Sequence, residues 1–139
     1  MRQTRVMRVL SLGVVFLAVA MAFPAAGIAG APEKLDCAGE IEWDVAKEAE
    51  IVSFACKIGE HKKDPALIFT AEVKNISDKP LRFRLGVYLL DMDKAAGHLI
   101  PRKGKPPVVE PGKTETVKIP FIKTDTPSKN MLVVVKTMG

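Results

Sequence analysis

Between residues 40 and 136 the chain returns again and again to a period of two. Ile41, Trp43 and Val45 alternate with Glu40, Glu42 and Asp44. Val52, Phe54, Cys56 and Ile58 alternate with Ser53, Ala55 and Lys57, and Leu67, Phe69, Ala71 and Val73 with Thr70, Glu72 and Lys74. The longest run sets Leu81, Phe83, Leu85, Val87 and Leu89 against Arg82, Arg84, Gly86 and Tyr88; a later one sets Val117, Ile119 and Phe121 against Thr116, Lys118 and Pro120. Successive side chains of an extended backbone point to opposite faces, so each run builds one apolar face and one polar face. A short piece at 98–100 and a stretch at 131–136, apolar on both parities, bring the count to about seven strands. Turn residues punctuate them at Asp64-Pro65, 75–80, 94–97, Pro111-Gly112 and 125–129. Short strands at regular spacing predict an all-β sandwich. Ala46, Lys47, Glu48 and Ala49 are good helix formers, but so short a segment between two alternating runs reads as a turn.

Not all 139 residues belong to this pattern. Arg2, Arg5 and Arg8 precede an apolar run over 9–23, broken only by Ser11 and Gly13. Pro24, Ala25, Ala26, Gly27, Ala29 and Gly30 follow. A basic start, an apolar middle and a small-residue exit predict a secretory signal peptide over 1–30, cut after Ala29 or Gly30. The competing reading is an uncleaved N-terminal anchor, since residues 9–32 carry no charge and could span a bilayer of about 30 Å. Pro24 and the glycines weaken a helix there, which favours cleavage and no lasting membrane insertion. The domain is then 31–139, in the periplasm or secreted. The leader holds three of the 21 Lys+Arg and none of the 16 Asp+Glu, so the body keeps only +2 of the net +5. A body so near neutrality gives no footprint for nucleic acid.

Cys37 and Cys56 are the only cysteines. In an exported chain an even pair predicts a structural disulfide. A hairpin turning at Ala46-Lys47 would set Ile41 opposite Val52 and Cys37 opposite Cys56, within reach of each other on the apolar face. A redox pair would more commonly be closer in sequence.

The residues of common catalytic sets are sparse. His61 lies in the charged turn Glu60-His61-Lys62-Lys63-Asp64, and His98 begins a short strand. There is no Gly-x-Ser-x-Gly elbow, no phosphate-cradling glycine loop and no His-x-x-x-His pair. The expectation is a chain without catalysis and without a cofactor. Met92 and His98 offer a thioether and an imidazole, the start of a copper site but not a full ligand set. Asp91-Met92-Asp93 begins like a calcium loop but has Ala96 and Arg102 where glycine and glutamate are needed, so its aspartates read as turn residues. Two surface features stand out. Tyr88 and Leu90 make the outer parity of the fourth strand apolar at its end, either packed under a loop or forming a small partner surface. Arg102, Lys103 and Lys105, between Pro101 and Pro106-Pro107, form a basic loop: a solvated tip, or a contact for an acidic partner or anionic headgroup.

The order of elements over 67–121 is distinctive. Residues 69–81 read as strand, Asn75 corner, strand; Val87-Tyr88-Leu89-Leu90-Asp91-Met92-Asp93 ends a strand in an acidic turn; Pro111-Gly112-Lys113-Thr114 opens another strand. This resembles the small immunoglobulin-like domains of bacterial envelope proteins called FxLYD, with Leu89-Leu90-Asp91 in place of Leu-Tyr-Asp and the tyrosine at Tyr88. The resemblance implies an immunoglobulin-like antiparallel β-sandwich and no catalytic residues. Together these readings predict an exported, non-catalytic binding or assembly module of the bacterial cell envelope. Its partner would be another envelope protein, met through Tyr88 and Leu90 or through Arg102, Lys103 and Lys105. A periplasmic ligand or copper carrier, or a protease inhibitor presenting the 101–107 loop, is the alternative.

Overall fold

The computed structural model describes residues 30–32, 34–35 and 37–138; the expected leader lies outside them but for Gly30. The strands are β1 (Lys34–Leu35), β2 (Ala38–Val45), β3 (Ala49–His61), β4 (Asp64–Asn75), β5 (Arg82–Leu89), β6 (Lys94–Ile100), β7 (Thr114–Ile122) and β8 (Ser128–Met138). They form a five-stranded sheet in the order β1-β2-β8-β5-β6 and a three-stranded sheet in the order β3-β4-β7. Every pairing is antiparallel except β2 with β8, which is parallel. The chain is an all-β sandwich, and the five alternating runs, the 98–100 piece and the 131–136 stretch all fall in strands. No described residue is helical, and the segment after β2 is a turn.

Two turns fall elsewhere than the sequence suggests. Asp64-Pro65 lies inside the β3–β4 ladder, and the reversal is made by Lys62 and Lys63 at φ 50° and 74°. Positive φ at both central residues is what a two-residue hairpin of matching twist requires, although glycine or asparagine adopts it more cheaply. Likewise β6 begins at Lys94 rather than at His98, so its hairpin with β5 closes over 90–93, with Asp93 at φ 55°. Ladder pairing overrides the local turn preference of Ala95, Ala96 and Gly97.

The core lies between the sheets. One sheet supplies Ile41, Phe83, Leu85, Val87, Leu89, Met131, Val133 and Val135; the other supplies Ile51, Phe54, Leu67, Phe69, Val73, Ile119 and Phe121. An aromatic seam runs through it: Trp43 meets Phe54 edge-on at 5.1 Å, Phe54 stacks on Phe69, and Phe69 meets Phe121 edge-on. Alternation identifies the inward parity of most strands, with one failure. The β3–β4 register shifts between Ile51 and Ser53, so Val52 is the extra residue of a bulge and is exposed. The bulge turns both Ile51 and Phe54 inward, three positions apart. Ile58, on the same parity as Phe54, is exposed near the hairpin tip.

Cys37 and Cys56 form the expected disulfide, with Cα atoms 6.1 Å apart. The hairpin proposed to align them does not exist. β2 and β3 lie in different sheets, and the bond crosses the core from the residue before β2 to the middle of β3. It closes a separation of 19 residues, which stabilises the fold by about 3 kcal/mol on the chain-entropy account.

The corner after β4 rests on one buried polar side chain. Asn75 is wholly buried, and its Nδ2 donates to the carbonyls of Lys79 and Val109, both at 2.7 Å. Its Oδ1 accepts from Ser77 N–H at 2.9 Å and Ser77 Oγ–H at 2.7 Å. Asn75 N–H donates to Lys113 O, and Gly112 N–H donates to Asn75 O. One amide thus ties the 76–80 corner to the 109–113 turn, with every polar atom paired. Asn75→Ala is expected to lower the unfolding free energy by about 2–3 kcal/mol, read from urea denaturation at unchanged m. A loss below about 0.5 kcal/mol would mean that water replaces the amide at no cost.

Candidate functional site

The outer face of the five-stranded sheet is built by the parity that the core does not use. With Phe83, Leu85, Val87 and Leu89 inward, β5 turns Arg82, Arg84, Gly86 and Tyr88 outward. Register places Tyr88 between Leu132 and Ala95, Gly86 between Val134 and Gly97, and Arg84 between Lys136 and Leu99. On β2, Glu40, Glu42 and Asp44 pair with Asn130, Leu132 and Val134. The charges of this face are segregated. Glu40, Glu42 and Asp44 run along β2, beside Leu132, Val134, Tyr88 and two glycines, whereas Arg82, Arg84 and Lys136 lie together at one end of β5 and β8. Lys136 and Asp44 form an ion pair at 2.9 Å.

Tyr88 is 41% exposed and Leu90 is 54% exposed, so neither is packed under a described loop. The absence of a side chain on Gly86 matters here. A Cβ there would lie 3.2 Å from Tyr88 Cε2, so the ring leans along the sheet over the glycine and keeps the centre flat. Leu132 and Val134 belong to this surface and were not singled out from the sequence. Their signal was the stretch apolar on both parities: a central strand with its inner face in the core and its outer face also apolar.

Glu40, Glu42, Leu90, Asp91 and Asn130 border a groove of about 510 Å³. Asp91 does more than shape its own turn. Its carboxylate accepts from Ser128 Oγ–H at 2.6 Å and from Lys129 N–H at 2.8 Å, tying the β5–β6 hairpin to the start of β8. These bonds, that from Ser128 foremost, hold its pKa below the ordinary aspartate value.

The basic loop borders a second cleft, also about 510 Å³, between the edges of the two sheets. Arg102 and Lys103 meet Lys118 of β7 there, beside His98, Glu115 and Thr116, with Pro101, Val108 and Val117 as apolar walls. Burial, and then the charge of Arg102, push the His98 imidazole below its ordinary pKa, so it is neutral at pH 7. The cleft's positive charge comes from Arg102, Lys103 and Lys118; among the described residues none of the three has an ion-pair partner. Lys105 is exposed and does not line it. Lys118 was missed in the sequence because it is distant in the chain and sits on the solvent parity of β7.

Met92 and His98 are not brought together. Met92 packs on the core at the 90–93 turn, whereas His98 lies in the cleft near the far end of β6. The described residues hold no cluster of three His, Cys, Asp or Glu arranged to take a metal ion. His61 sits at the β3–β4 hairpin, opposite Asp64. Among the described residues no helix is long and apolar enough to cross a membrane.

Because Asp91 has a lowered pKa when folded, its contribution is present above the unfolded value and is lost as pH falls through the folded one. The stability gap between wild type and Asp91→Asn is expected to be full above about pH 5 and to shrink below pH 3.8, the ordinary aspartate value. Urea midpoints across pH 2–6 measure it, and a gap constant down to about pH 2 would show that the carboxylate's charge is irrelevant. No family model matches this chain, and neither a curated protein nor a solved structure shows significant similarity to it.

Proposed function

We propose that the protein is an exported, non-catalytic assembly module of the bacterial cell envelope that works through the outer face of its five-stranded sheet. The observation that carries this reading is the sorting of that face. An apolar patch at Tyr88, Leu132 and Val134 is flanked along one side by Glu40, Glu42 and Asp44 of β2 and at one end by Arg82, Arg84 and Lys136, and no described element covers it. Apolar area supplies affinity, and the flanking charges set orientation and exclude wrong partners. The partner is a protein whose contact surface carries complementary charges. Export is supported by the basic–apolar–small pattern over 1–30 and by the disulfide, which persists in an oxidising compartment. The resemblance to FxLYD-type immunoglobulin-like domains agrees with an envelope role.

A photo-crosslinking residue at position 88, in cells of a bacterium that makes the protein, is expected to give one reproducible product. The same residue at position 70, on the outer face of the other sheet, should give none. Equal yields at the two positions would sink the reading.

A second reading, an anion carrier, is favoured by the convergence of Arg102, Lys103 and Lys118 on one cleft. Titration with inorganic phosphate, followed by amide NMR shifts, should then saturate around residues 98–103 and 116–118. Saturation should be lost in Arg102→Gln/Lys103→Gln and kept in Lys105→Gln. Linear, unsaturable shifts would reject the carrier.

A further inference from the structure

The two flanks of the sandwich are finished differently. On one, the Cys37–Cys56 bond and the Trp43–Phe54 contact tie the side of β2 to β3. On the other, β6 and β7 are the edge strands of their sheets. They are pinned at one end, where Lys94 Nζ donates to Thr124 Oγ1 at 2.6 Å. Toward the other end lies the cleft bordered by Arg102, Lys103 and Lys118. We propose that this cleft takes a small free organic dianion, an aryl or short alkyl phosphate, with its apolar body inward and its charge at the mouth. The proposal rests on the anion-carrier reading above and names the ligand class.

The depth of the cleft and its mouth differ in chemistry. β6 pairs Ala96 with Val87, His98 with Leu85 and Ile100 with Phe83 of β5, so His98 lies on the parity that faces the core. Its imidazole is neutral at pH 7. Pro101 is buried, Val117 on the inward parity of β7 is 7% exposed, and Val108 is half-buried beside them. Arg102, Lys103, Thr116 and Lys118 are all exposed. Charge is therefore gathered at the mouth, over an inner lining that is largely apolar. Glu115, half-buried near the start of β7, is the single carboxylate of the lining. Set against the three cations it leaves two positive charges, which a phosphate monoester balances at pH 7. No ion pair among the described residues has to break to admit it.

Size and walls separate this ligand from a bare ion. Sites of roughly 300–1,000 Å³ with apolar walls and a few placed polar groups take small organic molecules. This cleft, at about 510 Å³, has that size and that lining. Inorganic phosphate would use the mouth and leave Pro101, Val108 and Val117 in water. A membrane lipid offers its parts in the wrong order: its headgroup reaches the mouth while its chains stay in the bilayer.

Calorimetric titration of the protein, disulfide intact and at neutral pH, with inorganic phosphate and with phenyl phosphate tests this. Phenyl phosphate is expected to bind at least about tenfold more tightly, the factor that burial of much of a ring supplies. Its amide NMR shifts should centre on residues 98–103, 108 and 116–118. Lys118→Gln, at an exposed position, should weaken both ligands. Val108→Ser should weaken phenyl phosphate by about threefold or more and leave inorganic phosphate unchanged. Lys105→Gln, outside the cleft, should change neither. Saturable binding of both ligands with equal affinity overturns the apolar body and keeps the carrier reading. No saturable binding of either overturns both. Benzyl alcohol binding as tightly as phenyl phosphate overturns the role of the cations, and shifts centred elsewhere overturn the site. Binding to phosphatidic acid vesicles that phenyl phosphate displaces overturns the free ligand in favour of a lipid headgroup.

Discussion

The arrangement depends on the chain changing sheets between β2 and β3. Three residues make the crossing, and it is held on both sides. Ala46 N–H donates to Val135 O at 2.8 Å, continuing the contact of β2 with β8. Glu48 O accepts from Ile76 N–H at 2.9 Å, linking the arriving chain to the end of β4. The Cys37–Cys56 bond spans the same two sheets further along, and Trp43 packs on Phe54 between these ties. Had the turn produced a hairpin, β2 would have lain beside β3, and β8 would not have had the acidic strand as its parallel neighbour. The sorted outer face exists because the crossing sends β2 to the other sheet.

Close approach holds the start of β2. Gly39 packs directly against the backbone of Lys129, where any Cβ would collide with the Lys129 carbonyl. Trp43 Nε1–H donates to Pro32 O at 2.8 Å, holding the described N-terminal stretch to β2. Beside the crossing, where Asn75 pairs with Ala49, one amide does what the disulfide does with one covalent bond. Each fixes segments distant in the chain, at places where the strand ladders supply no pairing.

The fold was largely legible in the alternation. Seven runs became seven strands, and the inward parity of β2, β4, β5 and β7 could be read directly from apolar residues alternating with polar ones; that of β8 could not, because residues 131–135 are apolar on both parities. In β3 the reading held for Phe54 and Cys56 but failed at Val52, because a bulge there shifts the phase by one residue, buries Ile51 instead and leaves no mark in the alternation of 52–58. The site was legible in pieces. Tyr88 and Leu90 stood out as apolar residues on a polar parity, and Arg102 and Lys103 as adjacent charges. Leu132, Val134, Glu42 and Lys118 did not, because each looks ordinary until register places it beside the others.

By itself the sequence determined that the chain is built of strands, which side of most strands is apolar, and that two cysteines are available to one another. Those properties follow from the chemistry of neighbours along the chain, where side-chain alternation and composition act. Only the tertiary structure decided which strands are neighbours. Alternation specifies a face, not a partner, so β2 satisfies the same pattern beside β3 or across the core from it. The choice was made by packing and closure over the whole sandwich. It turned a hairpin disulfide into a bond between sheets and brought scattered charges together on one face.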